Sequence, residues 1–206
     1  MSRTFLVELP NGPAWDPARG LREQPLWDEH AAFVDRLHEQ GAIQFAGRLA
    51  DGSGAITVVE AESADALRRL FGDDPWLETG TLALGAVRGW ELYLDARRNG
   101  RPPARPGSPA FVVERPVGAD WVAGRGPREQ PLWDEHAAYI DAIYERGAIV
   151  LAGPLVDEPG AVLVLEAENE DGARELLAGD PWIVDADILR VGRVRGWRIL
   201  LDPRSP

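Results

Sequence analysis

One segment of eleven residues, Arg-Glu-Gln-Pro-Leu-Trp-Asp-Glu-His-Ala-Ala, is written twice in this chain, at 22–32 and again at 128–138. Whatever fold one copy adopts, the other must adopt too. The copies align at a constant separation of 106 residues from Phe5 and Phe111 as far as Asp74 and Asp180. Along that stretch Trp15 meets Trp121, Gly41-Ala42-Ile43 meets Gly147-Ala148-Ile149, and Gly47 meets Gly153. One further residue then enters the second copy between Trp182 and Val194, because Val87-Arg88-Gly89-Trp90 matches Val194-Arg195-Gly196-Trp197 at a separation of 107. The expected organisation is a module over 1–95, a Pro/Gly/Arg-rich linker over 96–108, and a second module over 109–206. Each module is near the ordinary size of a domain but can bury only a modest core alone.

Within a module the hydrophobic periods switch between two and about 3.6, the signatures of strand and helix. Phe5, Val7 and Leu9 recur at every second position, as on one face of a strand. A long loop runs from Pro10 to about Gln24, and Pro25 is expected to open a helix, where its missing N–H costs nothing. Asp28 and Glu29 suit a first turn, and Gly41 suits a C-terminal stop. Strands follow over 42–47 and 55–61, a helix over 64–71 with Ser63 as its N-cap, and a last strand over 86–94. The order β-α-β-β-α-β is the ferredoxin-like pattern, an α+β class. Its sheet has one face free of helices, which must be covered. Two modules packed sheet to sheet as an intrachain pseudo-dimer would do so.

Composition narrows the function. The net charge is −12, from 34 acidic and 22 basic residues, so neither nucleic acid nor an anionic membrane surface is an expected partner. No apolar run approaches the ~20 residues that span a bilayer. The N-terminal Phe-Leu-Val-Glu-Leu-Pro reads as a strand, not a signal peptide, so the expected compartment is cytoplasmic. With no cysteine, disulfides and thiolate chemistry are excluded. A metal site would need more ligands than one His and one Asp per module, unless the copies pool theirs, so none is expected, and no cofactor motif is present.

The candidate site is built on His30 and its copy His136. His30 shares a helix face with Trp27, Val34 and Leu37, so it points inward and needs a partner for a ring nitrogen. Asp28 projects from nearly the opposite side of the helix. Asp74 and its copy Asp180 are better placed, since both copies keep Asp-Pro-Trp and the proline holds the preceding backbone extended. A His-Asp pair orients an imidazole for general-base work. Trp27 and Trp76, with Trp133 and Trp182, are candidates for the wall of a small-molecule pocket. A plainer reading stays open: Asp74 as a turn residue bonded to its own backbone, the histidines as core, and the tryptophans as core. His38 faces Tyr144, is not shared, and is expected at the surface.

In Trp-Asp-Glu-His-Ala-Ala, Gly-Ala-Ile, Gly47, Glu60-Ala61-Glu62-Ser63, Asp74-Pro75-Trp76 and Trp90, with their copies, the chain resembles the YCII-related (YciI-like) family. The resemblance covers nearly all of both modules. It implies a ferredoxin-like fold of the dimeric α+β barrel type and a site built on His30 with Asp74 and His136 with Asp180. At least one protein resembling that family is a dehydrochlorinase acting on a hydroxylated aromatic ring. The expected function is therefore a cofactor-independent lyase or isomerase for a small aromatic or carbonyl molecule, in a monomeric pseudo-dimer or a homodimer. The alternative is a non-catalytic small-molecule-binding or accessory protein.

Overall fold

The computed structural model describes residues 3–100, 102 and 109–204. Most of the expected linker, 101 and 103–108, lies outside the described residues. The fold is α+β and forms two compact units, Met1–Gly89 with Ile199–Pro203, and Trp90–Arg198 with Arg204–Pro206.

In the first unit β1 (Arg3–Pro10) leads into a loop, a 3-10 turn at Leu21–Glu23 and α1 (Trp27–Glu39). β2 (Ile43–Leu49), β3 (Gly54–Ala61), α2 (Ala64–Phe71), the short α3 (Pro75–Glu78) and β4 (Val87–Trp90) follow. The strand order is β4-β1-β3-β2, the ferredoxin-like arrangement, with β3 antiparallel to both β1 and β2. Phe5, Val7 and Leu9 of β1 meet Phe33 and Leu37 of α1 and Leu67 and Phe71 of α2 in one core, as their periods predict. Each such buried side chain contributes about 1.5–3 kcal/mol. Leu6, Phe45, Ile56 and Val58 do not belong to that cluster, yet each is fully buried. The strands are thus covered on both faces, as a sheet with one apolar face left over requires.

The helix ends follow local chemistry. Ser63 caps α2 by accepting from the Ala66 N–H at 3.1 Å. Gly41 takes φ +73°, and its neighbour Ala42 N–H reaches back to the Leu37 carbonyl, closing α1 in a Schellman turn. The helix begins later than Pro25 predicts. It starts at Trp27 after Leu26, which adopts a left-handed φ of 58°. The reason lies outside the helix: the Pro25 carbonyl is turned to accept the indole N–H of Trp76 at 2.7 Å. His38 is half-buried, not simply at the surface, because its Nδ1 bonds the Ile43 carbonyl at 2.8 Å.

The second unit contains β5 (Leu94–Asp95), β6 (Ala110–Arg115), a 3-10 turn at Pro127–Glu129, α4 (Trp133–Glu145), β7 (Ile149–Pro154), β8 (Ala161–Glu166), α5 (Glu170–Glu175), α6 (Pro181–Val184) and β9 (Val194–Leu201). Its order β9-β6-β8-β7 repeats that of the first unit, and β5 is added beyond β7. Val87 to Leu94 is therefore not one strand, as its alternation suggests. The chain leaves β4 at Trp90 and runs along β7, with Glu91 N–H donating to the Pro154 carbonyl, Tyr93 N–H to Ala152 and Ala96 N–H to Val150. The buried Trp90 indole N–H donates to the Gly153 carbonyl at 3.0 Å. Gly153 permits this approach, since a Cβ there would run into the Glu91 carbonyl. Arg97 and Arg98, at the linker's start, both pair with the buried Asp95 rather than standing free in solvent. No described helix is long and apolar enough to cross a membrane.

Ser63→Ala should lower stability by about 1 kcal/mol through the lost cap. Gly153→Ala should cost about 1–3 kcal/mol by overpacking and should selectively weaken the 90–95 segment. Denaturant unfolding with hydrogen exchange at Tyr93 and Ala96 measures both, and fast exchange confined elsewhere in Gly153→Ala would contradict the second.

Candidate active site

The repeated segment builds the same cluster twice. Glu23 caps its own 3-10 turn by accepting from the Gly20 N–H at 2.8 Å, and Glu129 does so with Gly126. Gln24 is buried and clamps the preceding loop. Its amide oxygen accepts from Asp16 N–H while its amide nitrogen donates to the Asp16 and Arg19 carbonyls. Gln130 makes the equivalent bonds to Val122 and Arg125. Leu26 and Leu132 are the only non-glycine residues with positive φ among the described residues, a conformation costing about 1–2 kcal/mol. Both stand at the entry to the histidine helix, where the turn aims the following Trp and His.

His30 and Asp74 come together. The imidazole Nδ1 lies 2.8 Å from Asp74 Oδ1, and that same oxygen accepts the Trp76 N–H at 3.0 Å, capping α3. His136 and Asp180 repeat this at 2.8 Å and 3.1 Å. Both sequence readings of the aspartate are therefore met by one atom: it is a turn residue bonded to its own backbone and it is the histidine's partner. An ionised carboxylate only accepts, so the ring proton sits on Nδ1 and a neutral imidazole keeps its lone pair on Nε2. Neither Nε2 has a hydrogen-bond partner among the described residues.

The aromatic residues divide into supports and walls. Trp76 is 1% exposed and lies flat on His30, with centroids 3.9 Å apart and planes at 7°. Trp182 lies on His136 at 3.7 Å and 2°. Trp15 and Trp121 meet these indoles edge-on. Trp27 and Trp133, half-buried, sit 5.7 Å and 5.8 Å from Trp76 and Trp182. In the first unit Trp27, Trp76, His30 and Asp74 border a cavity of about 370 Å³, which Leu200 and Leu201 also line. In the second, Trp133, Trp182 and His136 border one of about 220 Å³, together with Tyr93, Trp121 and Arg128. All eight sequence-predicted site residues thus fall into two clusters of four. A partly exposed imidazole, with side-chain exposure of 12% in His30 and 11% in His136, faces each cavity with an unoccupied ring nitrogen. Such a group can accept a proton from a small flat molecule.

Sequence reasoning missed Arg115. Its side chain is fully buried, and its Nη2 donates to Asp180 Oδ2 at 2.9 Å. Burial pulls this guanidinium below its ordinary value, while the adjacent Asp180 opposes that. Burial pushes the Asp180 carboxyl up, but the hydrogen bond and charge of His136, then the charge and hydrogen bond of Arg115, outweigh it and hold the carboxyl below its ordinary range. The signal was available in the repeat: Arg115 stands opposite the apolar Leu9, at the end of the run Ala-Phe-Val-Val-Glu-Arg. Tyr93 was missed because it lies in copy 1 of the sequence and in the second unit of the fold.

The YCII-related domain model matches residues 16–91 and 113–198, so the chain belongs to that family, twice over. No curated protein matches the sequence. Among solved structures the chain is similar to a heme-binding protein from Thermus thermophilus, with 12% identity, TM-score 0.59, and coverage of 97% of this chain and 91% of that one. A putative chlorite dismutase matches at 11% identity and TM-score 0.61, covering 97% and 95%. The chlorite dismutase of Candidatus Nitrospira defluvii in complex with imidazole matches at 12% and 0.62, covering 95% and 90%. At these identities the likeness establishes the fold: two ferredoxin-like modules in one chain.

The Asp180 carboxyl ionises at lower pH folded than unfolded. Its ionised form therefore adds stability that is fully present above the unfolded aspartate value, about 3.9, and is lost as pH falls through the folded value. Acid unfolding of the second unit should lose this dependence in Asp180→Asn. At neutral pH Arg115→Ala should cost about 3–5 kcal/mol, because it strands a buried carboxylate. Chemical denaturation across pH 2 to 7 checks both, and a neutral Arg115→Ala would show the pair to be dispensable.

Proposed function

We propose that this protein is a cofactor-independent enzyme acting on a small aromatic or carbonyl-containing molecule by general acid-base chemistry, an elimination or an isomerisation. The observation that carries the reading is the pairing of each imidazole Nδ1 with a buried carboxylate while Nε2 faces a tryptophan-walled cavity without a partner. In this reading Nε2 takes a proton from substrate carbon, and the C–H electrons form a new double bond. In an elimination that displaces a leaving group with its electron pair. In an isomerisation the proton returns at another atom. Asp74 and Asp180 hold the ring in the required tautomer and stabilise the imidazolium that forms. Trp76 and Trp182 support the imidazole face, and Trp27 and Trp133 line the space for a flat substrate.

The similarity to a heme-binding protein raises a second possibility, and the residues here do not fit a haem. Pockets for drug-sized ligands span about 300–1,000 Å³, and a haem is larger than most such ligands. Cavities of about 370 and 220 Å³ are small for its macrocycle.

The test is turnover. Chloride release from chlorinated hydroxyaromatic probes, and exchange of α-protons of carbonyl compounds in deuterium oxide, report the two reaction types. Removing a general base typically costs 10²–10⁴-fold, so His30→Ala/His136→Ala should lose activity on that scale, with Asp74→Asn/Asp180→Asn also impaired. Unchanged turnover in the double histidine variant sinks the proposal. Saturable binding with no altered product across the panel makes the protein a binder instead. Haemin titration should give no shifted Soret band.

A further inference from the structure

The duplication places Leu9 of β1 opposite Arg115 of β6, beside otherwise matching His-Asp-Trp clusters. The consequence is a reversal of polarity. In the first unit Asp74 lines the cavity, and its second oxygen, Oδ2, is buried with no hydrogen-bond partner. In the second unit that oxygen is taken by Arg115, and Arg115 is the residue that lines the cavity. The Arg115 Nε donates to the Arg190 carbonyl at 3.1 Å and Nη2 to Asp180, while Nη1 is buried with no partner. A buried polar group left unpaired costs about 1–3 kcal/mol, so such groups are rare unless a ligand or water completes them. The first cluster holds a buried acceptor without a donor, and the second a buried donor without an acceptor.

We propose that the second unit's cavity is a carboxylate site, taking a single-ring aromatic carboxylate with one carboxylate oxygen accepting from Arg115 Nη1. A guanidinium held in place on two of its three nitrogens is rigid, and its remaining N–H groups suit a planar oxyanion. The walls suit the ring: Tyr93, Trp121, Trp133 and Trp182 all border the space. Arg128, whose guanidinium lies 4.9 Å from the Tyr93 ring centroid, borders the same cavity, but it is exposed and its charge is screened by water. The one acidic lining residue, Asp141, is exposed and screened by water, whereas Arg115 is fully buried. The volume of about 220 Å³ matches one ring with a small substituent better than a larger ligand. This assignment rests on reading the second cavity as a ligand site, but not on turnover there.

Isothermal titration of the full chain with benzoate and with its neutral isostere benzamide tests it. Benzoate should bind once per chain and at least tenfold more tightly than benzamide. Arg115→Leu, which installs the residue of the first copy, should weaken benzoate at least tenfold and benzamide by less. Equal affinity for the two probes overturns the proposal on the unaltered protein, so it stays decidable even where Arg115→Leu does not fold. Benzoate binding untouched by a folded Arg115→Leu overturns it as well. Arginine-dependent benzoate binding without turnover of any probe upholds the carboxylate site and removes the catalytic reading. Histidine-dependent turnover without a benzoate preference does the reverse.

Discussion

The site in each copy depends on a single carboxylate oxygen that accepts two N–H groups at once. Asp74 Oδ1 caps the short helix after α2 and also holds the imidazole of His30; Asp180 Oδ1 does both for its copy. Because one atom does both, the turn that positions Trp76 also positions His30, and the indole and imidazole stack as a consequence. The indole N–H in turn bonds the Pro25 carbonyl, which sets the left-handed entry to the helix carrying His30. The ring of contacts closes on itself: aspartate, tryptophan, proline, strained leucine, histidine, aspartate. A structure of this kind resists single substitutions, which explains why both copies keep all of these residues while strand residues around them diverge.

Duplication relaxes that constraint at the second carboxylate oxygen. Oδ2 makes no contribution to the cap or to the histidine, so its surroundings are free to change. In one copy it is buried without a hydrogen-bond partner; in the other it is paired with a buried arginine. The change reaches chemistry without disturbing architecture, since both residues occupy the last positions of the first strand of a module, and the aliphatic stem of arginine can pack where leucine does. The result is two sites with one geometry for the imidazole and different electrostatic surroundings.

Much of this was legible in the residues. Periodicity located the strands and the long helices, Ser63 and Gly41 marked ends that the backbone obeys, and the repeat singled out His30 with Asp74 across forty-four residues. These succeeded because each rests on local backbone chemistry or on a comparison internal to the chain. The misses share a different cause. Pro25 failed as a helix start because a tryptophan far along the chain claims its carbonyl. The expected strand over 86–94 failed because Gly153 lets the segment after Trp90 approach β7. Arg115 was passed over because an arginine in an apolar strand has meaning only once its partner is known.

By itself the sequence determined that the chain is two ferredoxin-like modules of the YCII-related family, and that each carries one inward histidine with one candidate aspartate. Those properties follow from hydrophobic period, capping chemistry and duplication, all carried by neighbours in the chain or by its own copy. Tertiary structure alone decided which oxygen of each aspartate is used, which is left over, and that Tyr93 lines the cavity of the second copy while Leu200 and Leu201 line that of the first. Burial and charge pairing act through space between residues far apart in the chain, and no periodicity records where a side chain's last hydrogen-bond partner will come from.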